Sequence, residues 1–467
     1  MTTDHQNERQ APNMLLLEMP GERMRRLTIG WLLLALGSLV VGGLLSIVIV
    51  LSRTPYVQDI FPWVDLFHTA LVVHVDLTVL VWFLAMAGVL WSINSRSACH
   101  RCGWMALLLC ITGASVISLS PFLGSSGPLI VNYIPILKDP LFFTGLAVFG
   151  CGFLALVLRG LFFSRPIGRR VTGLGAMRFG LFSALISAMT AMGALLASWL
   201  GIAESVQGEY YYELLFWGGG HTLQFVHIQL MLVCWLWLAT ESGIASRLTP
   251  RTVLILFAFG LVPVLMTPVA YFMYDVGSAE HQIALTWLMK FGGGLAALPI
   301  SLVVLFNLAS SLRGTANPSP QRSALFTSMI LFGVGGVIGF MIHGSNVTVP
   351  AHYHGSIVAV TLAYMGVTYH ILPLLGFRRP GGTLVILQPW IYASGQLMHV
   401  IGLAWSGGYG VQRKTAGGAQ ALDGIEKIAG MGLMGLGGLV AVIGGILFLV
   451  ITFKAMWPEK RTSGTVV

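Results

Sequence analysis

Apolar residues along this chain do not alternate with polar ones; they run in long blocks separated by short polar stretches. Twelve blocks are long enough to cross a bilayer core, near residues 29–52, 66–91, 104–121, 141–160, 179–201, 212–239, 253–274, 282–306, 324–343, 350–374, 387–406 and 429–453. Such a crossing covers about 30 Å and takes roughly 20 helical residues. Lipid offers no partner to backbone N–H and C=O groups, so a spanning segment is either a helix or a strand of a closed barrel. Period-two alternation is absent, which leaves helices. The pattern therefore predicts an all-α membrane protein. A polar tail over 1–28 precedes a twelve-helix domain over 29–455, and a second tail covers 456–467. No small-residue cleavage site follows the first block, which reads as a retained span.

Composition agrees with this division. Of 467 residues, 56% are hydrophobic and 9% charged, too little polar surface for a soluble chain of this size. If the N-terminus is cytoplasmic, twenty Lys and Arg face inward against six acidic residues, whereas five face outward against ten. That asymmetry is the positive-inside pattern for an even number of spans, with both tails in the cytoplasm of a bacterial-type inner membrane. The excess of basic residues is thus a matter of topology and gives no argument for nucleic acid. The acidic outer face suits a cationic redox partner such as a soluble cytochrome. Of the five cysteines, Cys110, Cys151 and Cys234 fall in spans. Cys99 and Cys102 lie in an inner loop as C-H-R-C, which lacks the spacing for covalent haem attachment and is expected to stay reduced.

Histidine changes the picture, because ionisable groups inside a membrane usually carry function. His74 in span 2, His221 in span 6, and His352 with His354 near the start of span 10 fall at one depth in the outer half. Imidazole is a common axial ligand of haem iron, and flat apolar porphyrins suit a membrane interior. Within A-H-Y-H-G, positions i and i+2 point about 200° apart on a helix, so His352 and His354 face opposite sides. One helix between two haems is the reading this favours over a pair of packing histidines. His68, His227, His343, His370 and His399 read as packing or hydrogen-bonding residues, with His370 and His399 placed away from the outer layer and His343 near a propionate.

These motifs resemble those of the core subunit of haem-copper oxidases and nitric oxide reductases. T-V-P-A-H-Y-H-G-S-I-V-A-V-T-L-A-Y-M-G-V-T-Y-H-I-L-P, residues 348–373, is similar to their helix 10. H-V-D-L-T-V-L-V-W-F-L-A-M-A-G, residues 74–88, is similar to helix 2, and L-F-W-G-G-G-H, residues 215–221, to helix 6. The resemblance is closer to B- and C-type oxidases and nitric oxide reductases than to mitochondrial oxidases, and it implies the subunit I type of twelve-helix bundle. It further implies that His74 and His354 clamp a low-spin haem, that His352 holds a high-spin haem with one open face, and that His221 looks at that face. A smaller cupredoxin-like or haem c subunit is the partner it implies.

The match breaks at the second metal. Phe272 and Met273 stand in T-P-V-A-Y-F-M-Y-D, residues 267–275, where the family has two histidines. Phe225 stands where A- and B-type oxidases have a tyrosine and nitric oxide reductases a glutamate. Three rebuildings stay open: Met273 with His221 around a cuprous ion; Asp275, Glu280 or His281 around a harder metal such as iron; or Lys290 replacing the metal's charge. A structural ion pair of Lys290 with a haem propionate or with Asp76 is the plainer alternative, and packing that for Met273. Loss of the tyrosine favours nitric oxide over oxygen as the gas reduced, unless Tyr271 or Tyr274 stands in. Two further readings remain, an electron-transfer or gas-sensing dihaem subunit without turnover and a haemless transporter-like bundle.

Overall fold

The computed structural model describes residues 13–58, 64–124, 127–244, 248–311 and 318–458. Within them, twelve helices are long and apolar enough to span a membrane. They are α1 (Glu22–Leu51), α2 (Leu66–Ile93), α3 (His100–Leu123), α4 (Pro140–Phe163), α5 (Gly173–Gly201) and α6 (Gly208–Glu241). There follow α7 (Pro250–Met273), α8 (Ala279–Ala309), α9 (Pro320–Phe340), α10 (Thr348–Leu374), α11 (Thr383–Gly408) and α12 (Ile425–Met456). Each coincides with one predicted block, with ends that differ by a few residues, because hydropathy marks the apolar stretch and not the helix termini. A two-stranded antiparallel ladder, β1 (Pro128–Leu129) with β2 (Ile136–Leu137), marks one end of the bundle, called here the hairpin end.

Chain neighbours pack as antiparallel pairs, most extensively α11 with α12, α9 with α10, α3 with α4 and α5 with α6. Small residues set the spacing, as expected where lipid supplies no hydrophobic drive between helices. A Cβ at Gly395 would lie 2.3 Å from the Ala441 backbone nitrogen, so α11 and α12 touch along their backbones. Burial orders the helices. The most apolar stretch is 83% buried in α6, 78% in α10 and 67% in α2, the three highest values in the bundle. The three helices that carry the suspect histidines are therefore its centre.

Two of the spans are irregular. In α2 a π-helical turn covers Asp76–Val81, starting two residues after His74. Single π turns inside α-helices often accompany functional sites. Span α8 is interrupted between Gly292 and Gly294, where a Cβ on Gly292 would meet Pro263 of α7 at 2.5 Å.

Two expectations need correction. The N-terminal tail over 1–28 is not a free polar segment in its described part: Leu15 and Leu17 are buried, and Glu18 pairs with Arg165 and Arg178. Helix α1 already begins at Glu22, which pairs with Arg25 and Arg26 in its first turns. Residues 1–12 and 459–467 of the two tails lie outside the described residues. Cys99 and Cys102, expected as thiols, form a disulfide; Cys99 has a left-handed backbone, and the two Cα atoms lie 5.4 Å apart.

Candidate functional site

A cavity of about 1760 Å³ lies among the central helices and reaches the hairpin loop over residues 130–135. A pocket for one small molecule measures roughly 300–1,000 Å³, so this volume suits two large flat groups. His74, His221, His352 and His354 all line it, which places the four imidazoles chosen from sequence around one space.

The imidazoles are oriented by backbone carbonyls. His74 Nδ1 lies 2.8 Å from the Gly42 oxygen of α1, and His352 Nδ1 lies 2.7 Å from the Gly335 oxygen of α9. A carbonyl accepts only, so each Nδ1 carries the proton and each Nε2 keeps a lone pair for the cavity. This second contact, fixing tautomer and ring, typifies metal-binding histidine. Glycine makes both contacts reachable. A Cβ on Gly42 would stand 2.6 Å from Thr78, and one on Gly335 would stand 2.6 Å from the Ser356 backbone nitrogen. Gly339 clears the His352 ring itself, which a Cβ there would approach to 2.7 Å.

His354 is held differently. Its ring lies 4.7 Å from that of His399, centroid to centroid, and shares the cavity wall with His74 and Gln396. His399 gives its own Nδ1–H to Met434 O at 3.0 Å and lines the cavity. The sequence reading that set His399 away from this layer is thus corrected; counted from the hairpin end of α11, it reaches the depth of His354. His227, read as packing, also lines the cavity, edge-on to Phe83 at 4.8 Å.

Cations rim the hairpin end of the cavity. Arg53, Arg413 and Lys414 all line it. Arg413 donates to Ser345 Oγ and Asn132 Oδ1, and Lys414 to the Ile130 carbonyl. Arg53 Nη2 is buried with no hydrogen-bond partner among the described residues, and burial lowers its guanidinium to about 10. It therefore stays charged near neutrality, and a buried guanidinium nitrogen without a partner among the described residues can take an anion. The carboxylates of a haem are such anions, so lone pairs, volume and rim together fit the group. A charge-assisted hydrogen bond contributes about 1.5–3 kcal/mol, so Arg53→Leu should weaken haem retention roughly 10- to 100-fold. Haem lost on dilution and gel filtration measures this, and Arg53→Lys should lose less.

The second-metal candidates fare less well. Met273 is 62% exposed and Phe272 93%, both outside the cavity wall. Their stretch ends α7 with Tyr271 turned inward, and that rotation sends the next two side chains outward. Asp275, Glu280 and Tyr274 are exposed in the α7–α8 turn and also do not line the cavity. Tyr271 hydrogen-bonds Ser198 at 2.6 Å and packs edge-on against His281 at 4.6 Å. Buried His281 alone of these candidate ligands interacts electrostatically with His221. No group of three His, Cys, Asp or Glu is placed to hold a metal ion among the described residues. The copper or iron expected beside His221 does not fit these positions.

Lys290 lines the cavity, with Nζ 5.4 Å from the Phe340 ring centroid and 5.9 Å from that of Phe291. It does not pair with Asp76, whose carboxylate oxygens have no hydrogen-bond partner among the described residues. His343 is exposed and bonds Met341 O, away from the cavity wall.

One neighbour of His221 had no signal in the sequence. His221 Nδ1 lies 2.8 Å from Trp217 O, and the Tyr133 phenol oxygen lies 2.9 Å from both ring nitrogens. Tyr133 comes from the β1–β2 loop with φ +70°, a left-handed backbone that costs a non-glycine residue about 1–2 kcal/mol. The glycine run before His221 admits these partners. A Cβ on Gly220 would stand 2.2 Å from the Tyr133 ring, and one on Gly218 would collide with the Tyr271 hydroxyl.

Comparison with known proteins bears on this arrangement. A family model described as cytochrome c and quinol oxidase polypeptide I matches residues 26–447. An uncharacterized protein of Rickettsia prowazekii (strain Madrid E) is 28% identical over 493 residues, covering 91% of this chain and 95% of the relative. An uncharacterized protein of Aquifex aeolicus (strain VF5) is 28% identical over 356 residues, covering 75% of this chain and 86% of the relative. The solved structure of a heme-copper terminal oxidase dimer superposes with TM-score 0.70 at 16% identity, covering 95% of this chain and 86% of that one. At that identity the likeness speaks for the fold.

Proposed function

The chain belongs to the cytochrome c and quinol oxidase polypeptide I family, and from that premise we propose that it is the haem-binding core of a respiratory membrane oxidoreductase that reduces a small gas. The observation that carries this reading is the set of cavity-facing imidazoles with their Nδ1 protons committed to glycine carbonyls. His74 and His354 would hold a low-spin haem between α2 and α10, and His352 a high-spin haem on the α9 side. Bound haem supplies electron transfer at six-coordinate iron and gas binding at five-coordinate iron. The chain's own part is to orient the rings, to fix the propionates through Arg53, Arg413 and Lys414, and to enclose the gas in an apolar space. His399, with its ring tilted at 56° against that of His354, limits the swing of that ring.

Nitric oxide and oxygen are the two gases in view. The lean toward nitric oxide rested on the absence of a tyrosine near His221, and Tyr133 weakens that argument. Orientation follows the charge pattern, with both tails cytoplasmic and the hairpin end outside. There, Glu204, Glu209, Asp275 and Glu280 are exposed, and Tyr210 bonds Gly277 O to join the two acidic turns. This surface suits a cationic cytochrome or a small redox subunit.

Turnover is tested by supplying purified protein with a chemical electron donor and measuring nitric oxide and oxygen consumption. Consumption of either gas that disappears in His352→Ala, while the low-spin haem is still reduced, supports the enzyme. Reduction of both haems without consumption of either gas supports an electron carrier or gas sensor.

A further inference from the structure

We propose that the gas-binding face of the His352 haem is built without a second metal, and that the Tyr133 hydroxyl, seated on His221, is its hydrogen-bond donor to bound gas. The inference rests on the haem reading above and concerns the opposite wall of the same pocket. His221 gives its Nδ1–H to Trp217 O, and the Tyr133 oxygen, 2.9 Å from both Nδ1 and Nε2, sits against the ring between the two nitrogens. Thr286 Oγ1, 3.5 Å from the same Nε2, fills the remaining side.

The wall is continuous with the His352 lobe. Thr286 and Lys290 are one turn apart on α8, and Lys290 Nζ lies over Phe340, the neighbour of the glycine that clears His352. Tyr133, His221, Thr286, Lys290 and His352 all line the one cavity.

Several independent features hold Tyr133 there. Its backbone is left-handed, and the residue before it is clamped, since Asn132 gives both its backbone N–H and its side-chain amide to Glu213. The Tyr133 ring is wedged edge-on to Trp217 at 6.1 Å over a glycine that no larger residue could replace. Burial, with the Glu213 carboxylate, raises the phenol well above its ordinary range, so it keeps its proton. The hydroxyl lies on neither nitrogen's lone-pair axis, so its one proton can turn to the outer atom of a diatomic ligand.

Two measurements test this on the purified full-length protein. Metal analysis should find iron equal to the haem content, with no stoichiometric copper or additional iron. Infrared spectra of the reduced carbon monoxide adduct should show the C–O stretch moving to higher wavenumber in Tyr133→Phe, because a donor that draws electron density onto the ligand is gone. Oxygen or nitric oxide should leave the variant about 3- to 10-fold faster, the worth of one hydrogen bond. Haem content and the low-spin band should match the parent, a result a merely structural role for the hydroxyl would not combine with a shifted C–O stretch. A stoichiometric third metal that disappears in His221→Ala overturns the proposal, as does an unmoved C–O stretch in a Tyr133→Phe protein that keeps both haems. Protein that binds no haem at all overturns the functional reading as well.

Discussion

Replacing His74 with alanine is expected to abolish the low-spin haem while leaving the high-spin haem in place. His74 lies within an apolar span, yet its Nε2 is left free because Gly42 takes the Nδ1 proton. A ring so fixed has one remaining use, to give its lone pair to a metal. Loss of an outer-shell partner alone commonly costs about 10–100-fold in metal affinity, and loss of the ligand itself should cost more. The reduced spectrum of His74→Ala should therefore lack the sharp bis-imidazole band. His352→Ala should show the reverse pattern, with that band kept and carbon monoxide binding lost. Persistence of the sharp band in His74→Ala would remove the basis for pairing α2 with α10.

The second large effect is expected at a residue that touches no cofactor. Gly335→Val would drive a side chain into the backbone of α10, where even the first carbon meets Ser356 N at 2.6 Å and Gly355 C at 2.9 Å. Overpacking of this kind costs about 1–3 kcal/mol, and relief requires α9 and α10 to separate. Separation withdraws the Gly335 carbonyl from His352 Nδ1, so the high-spin haem should be lost roughly 10- to 100-fold more readily. Gly37→Ala is the control. No atom lies within 4 Å of its Cβ position, and both haems should be retained. Thermal melts and haem titration of the two variants side by side separate a packing defect from a general loss of helix.

The spans, and the meeting of four histidines around one cavity, were legible because hydrophobic length and residue depth are local properties of a sequence. Even the order of importance could be read, since α2, α6 and α10 prove to be the most buried helices. What could not be read depends on rotation and on distant loops. Resemblance sets Phe272 and Met273 at the family's histidine positions, yet both side chains are exposed beyond the cavity wall. His399 was misplaced because its depth had to be counted from the far end of α11. Tyr133 reaches His221 only through a loop 88 residues away in sequence, and no periodicity encodes that contact. Arg53, Arg413 and Lys414 were visible as outer charges, but their shared rim needs the α1–α2 and α11–α12 loops to meet, as the Arg53–Gln420 hydrogen bond shows they do.

Quantitative haem extraction combined with electron paramagnetic resonance of the oxidised, full-length protein examines the arrangement at its root. Two haems per chain are predicted, one giving a low-spin signal and the other a high-spin signal that carbon monoxide alters after reduction. A colourless protein, or one whose haems are both low-spin and indifferent to carbon monoxide, would contradict it.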